Sequence, residues 1–270
     1  MSDLRQVVID DEKFFVIEDI NKLRPFFMSI VSESDHWMFI SSNGGLTAGR
    51  RNAEFALFPY YTDDKITESV EVTGSKSIFR VKKLDKHHLW EPFSIRGAGL
   101  YRITRNLYKH VYGHKVLFEE INHDLGLCFR YSWSSSDEFG FVRKATLVNQ
   151  GVERADIQLL DGLQNIIPAG VGSNTQNYYS NLVDAYKRSE LDEGSGLGMY
   201  ALSAIIVDKA EPSEALKANV VWSMGLDNPT CLLSSAQLHA FRETGAVQQE
   251  SDIKGEKGAY FVQANVSLNA

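Results

Sequence analysis

The sequence predicts a mainly β protein: a large antiparallel β-sandwich with one or two helices. Three observations carry this. Strand-like runs recur at short, regular intervals between Leu100 and Ile167, and polar turn chemistry rather than helical periodicity separates them. The chain is also rich in Phe (15), Tyr (11) and Trp (4), residues that suit half-buried pleated surfaces. Parallel βαβ units would need a helix between successive strands, and no such alternation occurs. No repeat or linker divides the 270 residues, so 1–270 reads as one folding unit.

Taken in order, Val7-Val8-Ile9 and Phe14-Phe15-Val16-Ile17 predict a hairpin broken at Asp10-Asp11-Glu12-Lys13. Two further strands lie between Pro25 and Ile40, around Ser32-Glu33-Ser34-Asp35. Val70-Glu71-Val72-Thr73 alternates like a strand, and Gly74-Ser75 turns into Ile78-Phe79-Arg80-Val81. Strands then follow at 100–105, 115–121, 125–133, 140–149 and 155–160, joined by turns such as Asn122-His123-Asp124 and Asn149-Gln150-Gly151. One helix is expected from Ser173 or Asn174, with Tyr178, Leu182, Ala185 and Tyr186 at helical spacing, ending in the charged run 187–193. Strands resume at 199–207 and 218–224. A short helix spans 234–243, residues 248–257 read as a mobile loop, and 260–268 as a final strand.

Composition sets limits on function. A net charge of −7 argues against general nucleic-acid binding, which needs basic surface. No apolar run is long enough to cross a bilayer and the start lacks a signal-peptide pattern, so a cytoplasmic protein without membrane partners is expected. Cys128 and Cys231 sit in apolar runs and read as buried free thiols. No cofactor motif or metal site is expected.

The segment Ser41–Asn52, running into Leu57–Lys65, holds three glycines, two arginines, two tyrosines and two aspartates. It lacks the pattern of a phosphate loop. One reading is a hairpin loop whose glycines permit positive φ and whose arginines pair with local acids. The other makes Asn43, Arg50, Arg51, Asn52, Tyr60, Tyr61, Asp63 and Asp64 the contact with a sugar or a neighbouring domain, combining polar contacts with ring stacking. Trp37, Trp133 and Trp222 fit apolar strand patterns, leaving Trp90 as the exposed tryptophan available to such a ligand. Adjacent acids such as Glu119-Glu120 point to opposite faces of a strand and cannot flank one glycosidic bond. His110 and His114, in a strand-rich context, fall on one face but too far apart to share a metal. No G-x-S-x-G nucleophile elbow occurs. No catalytic residue is assigned.

The run of antiparallel strands, with Phe118–Ile121, Phe141–Asn149, Ile157–Leu163 and Asn181–Glu190 as its most characteristic stretches, resembles the N-terminal β-supersandwich domain of cellobiose phosphorylases. That domain belongs to the galactose-mutarotase-like sandwiches of carbohydrate-active enzymes. The resemblance implies a non-catalytic, carbohydrate-binding N-terminal domain of a glycoside phosphorylase or hydrolase. Its partners would be an oligosaccharide or disaccharide, an (α/α)6 catalytic domain of the same polypeptide, and possible second copies in a homodimer. Two alternatives stay open: a stand-alone sugar mutarotase or epimerase, with His114 and Glu119 or Glu120 as acid and base, or a carbohydrate-binding scaffold module.

Overall fold

The structure, a computed structural model, describes residues 5–83, 86–204 and 217–270. Strand accounts for 48% of it and helix for 13%, so the mainly β class holds. The first strands are β1 (Gln6–Ile9), β2 (Glu12–Ile17), β3 (Phe27–Ile30), β4 (His36–Ser41) and β5 (Leu46–Arg50). Helix α1 (Asp63–Glu68) follows, then β6 (Gly74–Lys83), β7 (Lys86–Trp90), β8 (Ile103–His110), β9 (Lys115–Asn122), β10 (Leu127–Ser136), β11 (Gly140–Asn149) and β12 (Ala155–Ile166). Helices α2 (Ser173–Tyr178) and α3 (Ser180–Tyr186) lead into β13 (Lys187–Asp192), β14 (Leu197–Leu202), β15 (Asn219–Val221) and β16 (Thr230–Leu232). The chain closes with α4 (Leu238–Thr244), β17 (Asp252–Lys254) and β18 (Gly258–Leu268).

These strands make four sheets, not two continuous layers. Their orders are β1-β2-β8-β9-β10-β11, β16-β18-β12-β6-β7, β15-β14-β13-β17 and β3-β4-β5. Every strand pairing among the described residues is antiparallel. The six- and five-stranded sheets share one core. Alternate residues of β10 (Leu127, Phe129, Tyr131, Trp133) meet alternate residues of β6 and β12 (Phe79, Val81, Ile157, Leu159), with Phe79 and Phe129 rings 5.1 Å apart. The other face of the five-stranded sheet is closed by α4, where Ile78, Leu160 and Phe261 pack on Leu238 and Phe241. Arg80 caps that helix by donating to the Phe241 and Arg242 carbonyls, each at 3.2 Å. A clamp between β11 and β12 ties the two large sheets together: Arg143 grips Asp161 through two nitrogens at 2.7 and 2.8 Å and lies over the Tyr131 ring.

The predicted strands from Val7 to Ile40 and from Lys115 to Leu160, and the final strand, fall where the pattern put them. Those expected at 100–105, 199–207 and 218–224 are observed at 103–110, 197–202 and 219–221; both cysteines are buried and free. Four further segments differ. Residues 69–71 form a 3-10 turn after α1, because the alternation of Val70 and Val72 lies in a tight turn that leaves Val72 exposed. The helix from Ser173 is split at Tyr179, and its charged tail is strand β13. There the buried alternation runs through Lys187, Ser189 and Leu191, with the Lys187 ammonium 2.7 Å from Asp184. Residues 248–257 are not a free loop: buried Glu250 accepts from the Leu233 and Ser234 amides, and β17 pairs with β13. The segment 46–50 is not a loop either but a buried strand. Residues 205–207 of the strand expected at 199–207 lie outside the described residues.

Candidate functional site

The three-stranded sheet shows how one alternation makes two surfaces. Met38 and Ile40 of β4 enter the core, while Trp37 and Phe39 take the opposite face, half-buried. Phe27 of β3 stacks on Phe39, centroids 5.4 Å apart and planes 29° apart. Phe39 meets Trp37 at 5.8 Å and 36°, and Tyr60 meets the indole edge-on at 5.8 Å. Four rings therefore run in a continuous row whose two ends are open to solvent, Phe27 being 45% and Tyr60 38% exposed. Gly49 makes room for it. It stands opposite Trp37 in the β4–β5 register, and a Cβ there would lie 2.6 Å from the indole and 2.5 Å from the Phe55 carbonyl oxygen. No other residue lets the indole lie across β5.

The structure separates the residues singled out in the sequence. Tyr60 joins the aromatic row. Arg50 and Arg51 lie at the far end of β5, where both reach Asp35, at 2.7 and 3.5 Å; the bond to Arg50 is the main cause holding that carboxyl below its ordinary range. Asn43 sits in the turn at the opposite end of the same hairpin, roughly 15 Å of strand away. Its side chain bonds the Thr67 carbonyl and the Gly45 amide. Asn52 accepts from the Glu54 amide and so opens the short turn of helix 53–55. Burial pushes the Tyr61 phenol up. Helix α1 begins at Asp63, and Thr62 donates to the Asp64 carboxylate at 2.8 Å, where an acid suits the helix N-terminus. These residues do not converge on one pocket. The hollow beside Asn43, Gly44 and Glu71 holds about 20 Å³, enough for one water.

Trp90 requires a correction. It is 2% exposed, packed on Phe79, and donates its indole N–H to Glu120 at 2.7 Å. Pro92 and Glu91 give its neighbourhood the look of an open turn, but Glu91 is itself buried between Arg242 and Lys76. Trp222, expected in the core, is 41% exposed and stands edge-on to Phe139. The sequence reading also missed Phe27, Trp37 and Phe39 as a surface. The period-two alternation of Trp37-Met38-Phe39-Ile40 was the available signal, since it assigns alternate residues to opposite faces.

Glu119 and Glu120 do point to opposite faces of β9, and each is saturated. Glu119 accepts from Asn106 and Tyr108 at 2.8 Å and from Arg130 at 2.5 Å. Burial alone would raise its pKa; these donors outweigh burial and hold the carboxyl below its usual range. Glu120 accepts from Trp90, the Phe93 amide and Arg105, at 2.7, 2.7 and 2.6 Å. Neither has lone pairs directed at an open cleft.

The histidine reading is overturned as well. Residues 111–113 make a tight turn between β8 and β9, so His110 and His114 face each other across a hairpin end, with rings 4.1 Å apart. Had the strand continued, four residues would separate them by about 13 Å. Glu12 of β2 reaches the same point, and one ligand atom from each of the three lies within 4.8 Å of the others. Lys115 bonds the Glu12 carboxylate at 2.5 Å, and the Tyr112 amide donates to His110 Nδ1 at 3.2 Å. Burial, then the neighbouring His114, hold the His110 imidazole below its ordinary pKa.

Compared with known proteins, the sequence matches no family model and no curated protein. The likeness to cellobiose phosphorylases gains no support from these comparisons.

Proposed function

We propose that this chain is a non-catalytic carbohydrate-binding β-module that holds sugar rings against the row Phe27–Phe39–Trp37–Tyr60. The carrying observation is that row: four aromatic rings, 5.4 to 5.8 Å apart, three on one face of the small β3–β4–β5 sheet and Tyr60 from the segment after it, with Trp37 also packed on the cluster around Val183. Pyranose rings present apolar C–H faces bordered by hydroxyls. Aromatic rings at a half-exposed surface offer the matching apolar area, and Tyr60 adds a polar tip. Arg50 and Arg51, beyond the end of the row, supply donors for hydroxyls. The saturated state of Glu119 and Glu120 supports a binding role over bond cleavage, which needs two free carboxyl groups about 5–10 Å apart across the bond. The six- and five-stranded sheets, sharing one core, would be the main layers of a supersandwich that carries this surface.

The test is retention of the purified chain on insoluble β-glucan, xylan and mannan, with calorimetry on soluble oligosaccharides. Retention on at least one polymer is expected, weakened about tenfold by Phe39→Ala and by Tyr60→Ala, with unchanged circular dichroism and no release of reducing sugar. No retention on any of the three, or retention indifferent to both substitutions, contradicts the proposal.

A further inference from the structure

The hairpin end that joins β2, β8 and β9 brings two imidazoles and a carboxylate together. We infer that Glu12, His110 and His114 form a binding site for a transition-metal ion of the zinc type. Two imidazoles and one carboxylate are the borderline nitrogen and oxygen donors that Zn²⁺ accepts, and three protein ligands leave a coordination position for water. The ligand atoms already lie within 4.8 Å of one another, close enough to converge on one ion with small rotations of the side chains. Three different strands or turns supply them, so the arrangement is a product of the fold. It is anchored: His110 is buried and packs edge-on to Phe14 at 5.2 Å, which fixes one ligand, while Glu12 and His114 are half-buried and reachable.

Two local bonds bear on the entry of an ion. The first is the Lys115 ammonium on Glu12, which occupies the carboxylate in the absence of metal. The ammonium and the ion compete for one anion, so Lys115 weakens the site. The second is the bond from the Tyr112 amide to His110 Nδ1. If the ion takes Nδ1, the amide loses its acceptor. If the ion takes Nε2, the ring proton moves to Nδ1 and the amide loses its acceptor again. Either way the Tyr112 N–H is released, which gives binding a signature at one named backbone atom.

The experiment is titration of the ¹⁵N-labelled protein with Zn²⁺ alone, with Mg²⁺ as the comparison, read by amide and imidazole resonances and by calorimetry. Zn²⁺ should shift the Tyr112 amide and the rings of His110 and His114 at stoichiometric amounts, while Mg²⁺, a hard cation that prefers oxygen donors, should leave them in place. His114→Gln and Glu12→Gln should each weaken binding by more than about tenfold, and Lys115→Met should tighten it. These three side chains are at most half-buried, so the variants keep the fold, which thermal melts verify; His110→Gln is not needed. Zinc binding that leaves the Tyr112 amide unmoved, that survives His114→Gln at full strength, or that Mg²⁺ reproduces would overturn the assignment.

Discussion

One hairpin, β8–β9, holds two polar clusters of opposite character. In its middle, Glu119 and Glu120 are buried, and each carboxylate accepts three or more bonds from donors supplied by adjoining strands and turns. At its end, Glu12, His110 and His114 face one another, and the Lys115 ammonium bonds the Glu12 carboxylate. The difference teaches what burial does to ionisable groups. A buried carboxylate is stable only when its lone pairs are filled, and a filled carboxylate has nothing left for a ligand. A cluster at a hairpin tip can keep donors in reserve because water covers the cost.

The largest effect that follows is on stability. Glu120→Ala removes the acceptor for Trp90, the Phe93 amide and the Arg105 guanidinium, and should cost about 3–5 kcal/mol in urea unfolding. Glu12→Gln, at the open cluster, should cost less than about 1 kcal/mol. Equal costs would erase the contrast. Gly49→Ala should cost about 1–3 kcal/mol, because its Cβ meets the Phe55 carbonyl and the Trp37 indole at 2.5 and 2.6 Å. Its tryptophan emission should also change.

Acid sensitivity sharpens the same comparison. Burial alone would raise the Glu91 pKa, but Arg242 and Lys76 more than offset it and hold the folded-state value below the 4.5 of a free carboxyl. Glu91 therefore contributes stability fully above pH 4.5, and loses it as pH falls through the depressed folded value. Melting temperature should drop on acidification below that point, and Glu91→Gln should flatten the drop while lowering stability at neutral pH. The smallest effect is chemical. Burial and the Glu119 charge push the Cys128 thiol up to about 11, so it should resist alkylation at pH 8 until the chain unfolds.

Much of the fold was legible because alternation and turn residues agreed. Val7–Ile17 shows this: Asp10 and Asp11 take positive φ (49° and 63°) between two four- to six-residue strands, as their turn chemistry suggests. Legibility failed where a charged residue occupied a buried position. Lys187 opens β13 yet is 1% exposed beside Asp184, so the run looked like the charged end of a helix. Trp90 and Glu91 misled for the same reason, since their partners Glu120, Lys76 and Arg242 are distant in sequence. The aromatic row needed the register of three strands and a distant loop before Phe27, Trp37, Phe39 and Tyr60 could be seen as one surface. The histidine pair was hidden by three residues, 111–113, whose turn reverses the chain.

If sugar binds the aromatic row, Trp37 senses it. The four indole N–H signals of the ¹⁵N-labelled protein can be followed during titration with the soluble oligosaccharide of whichever polymer retains it. The Trp37 signal should move in a saturable way while buried Trp90 and Trp133 stay still. Saturable movement confined to other tryptophans, or none at millimolar sugar, would contradict the account.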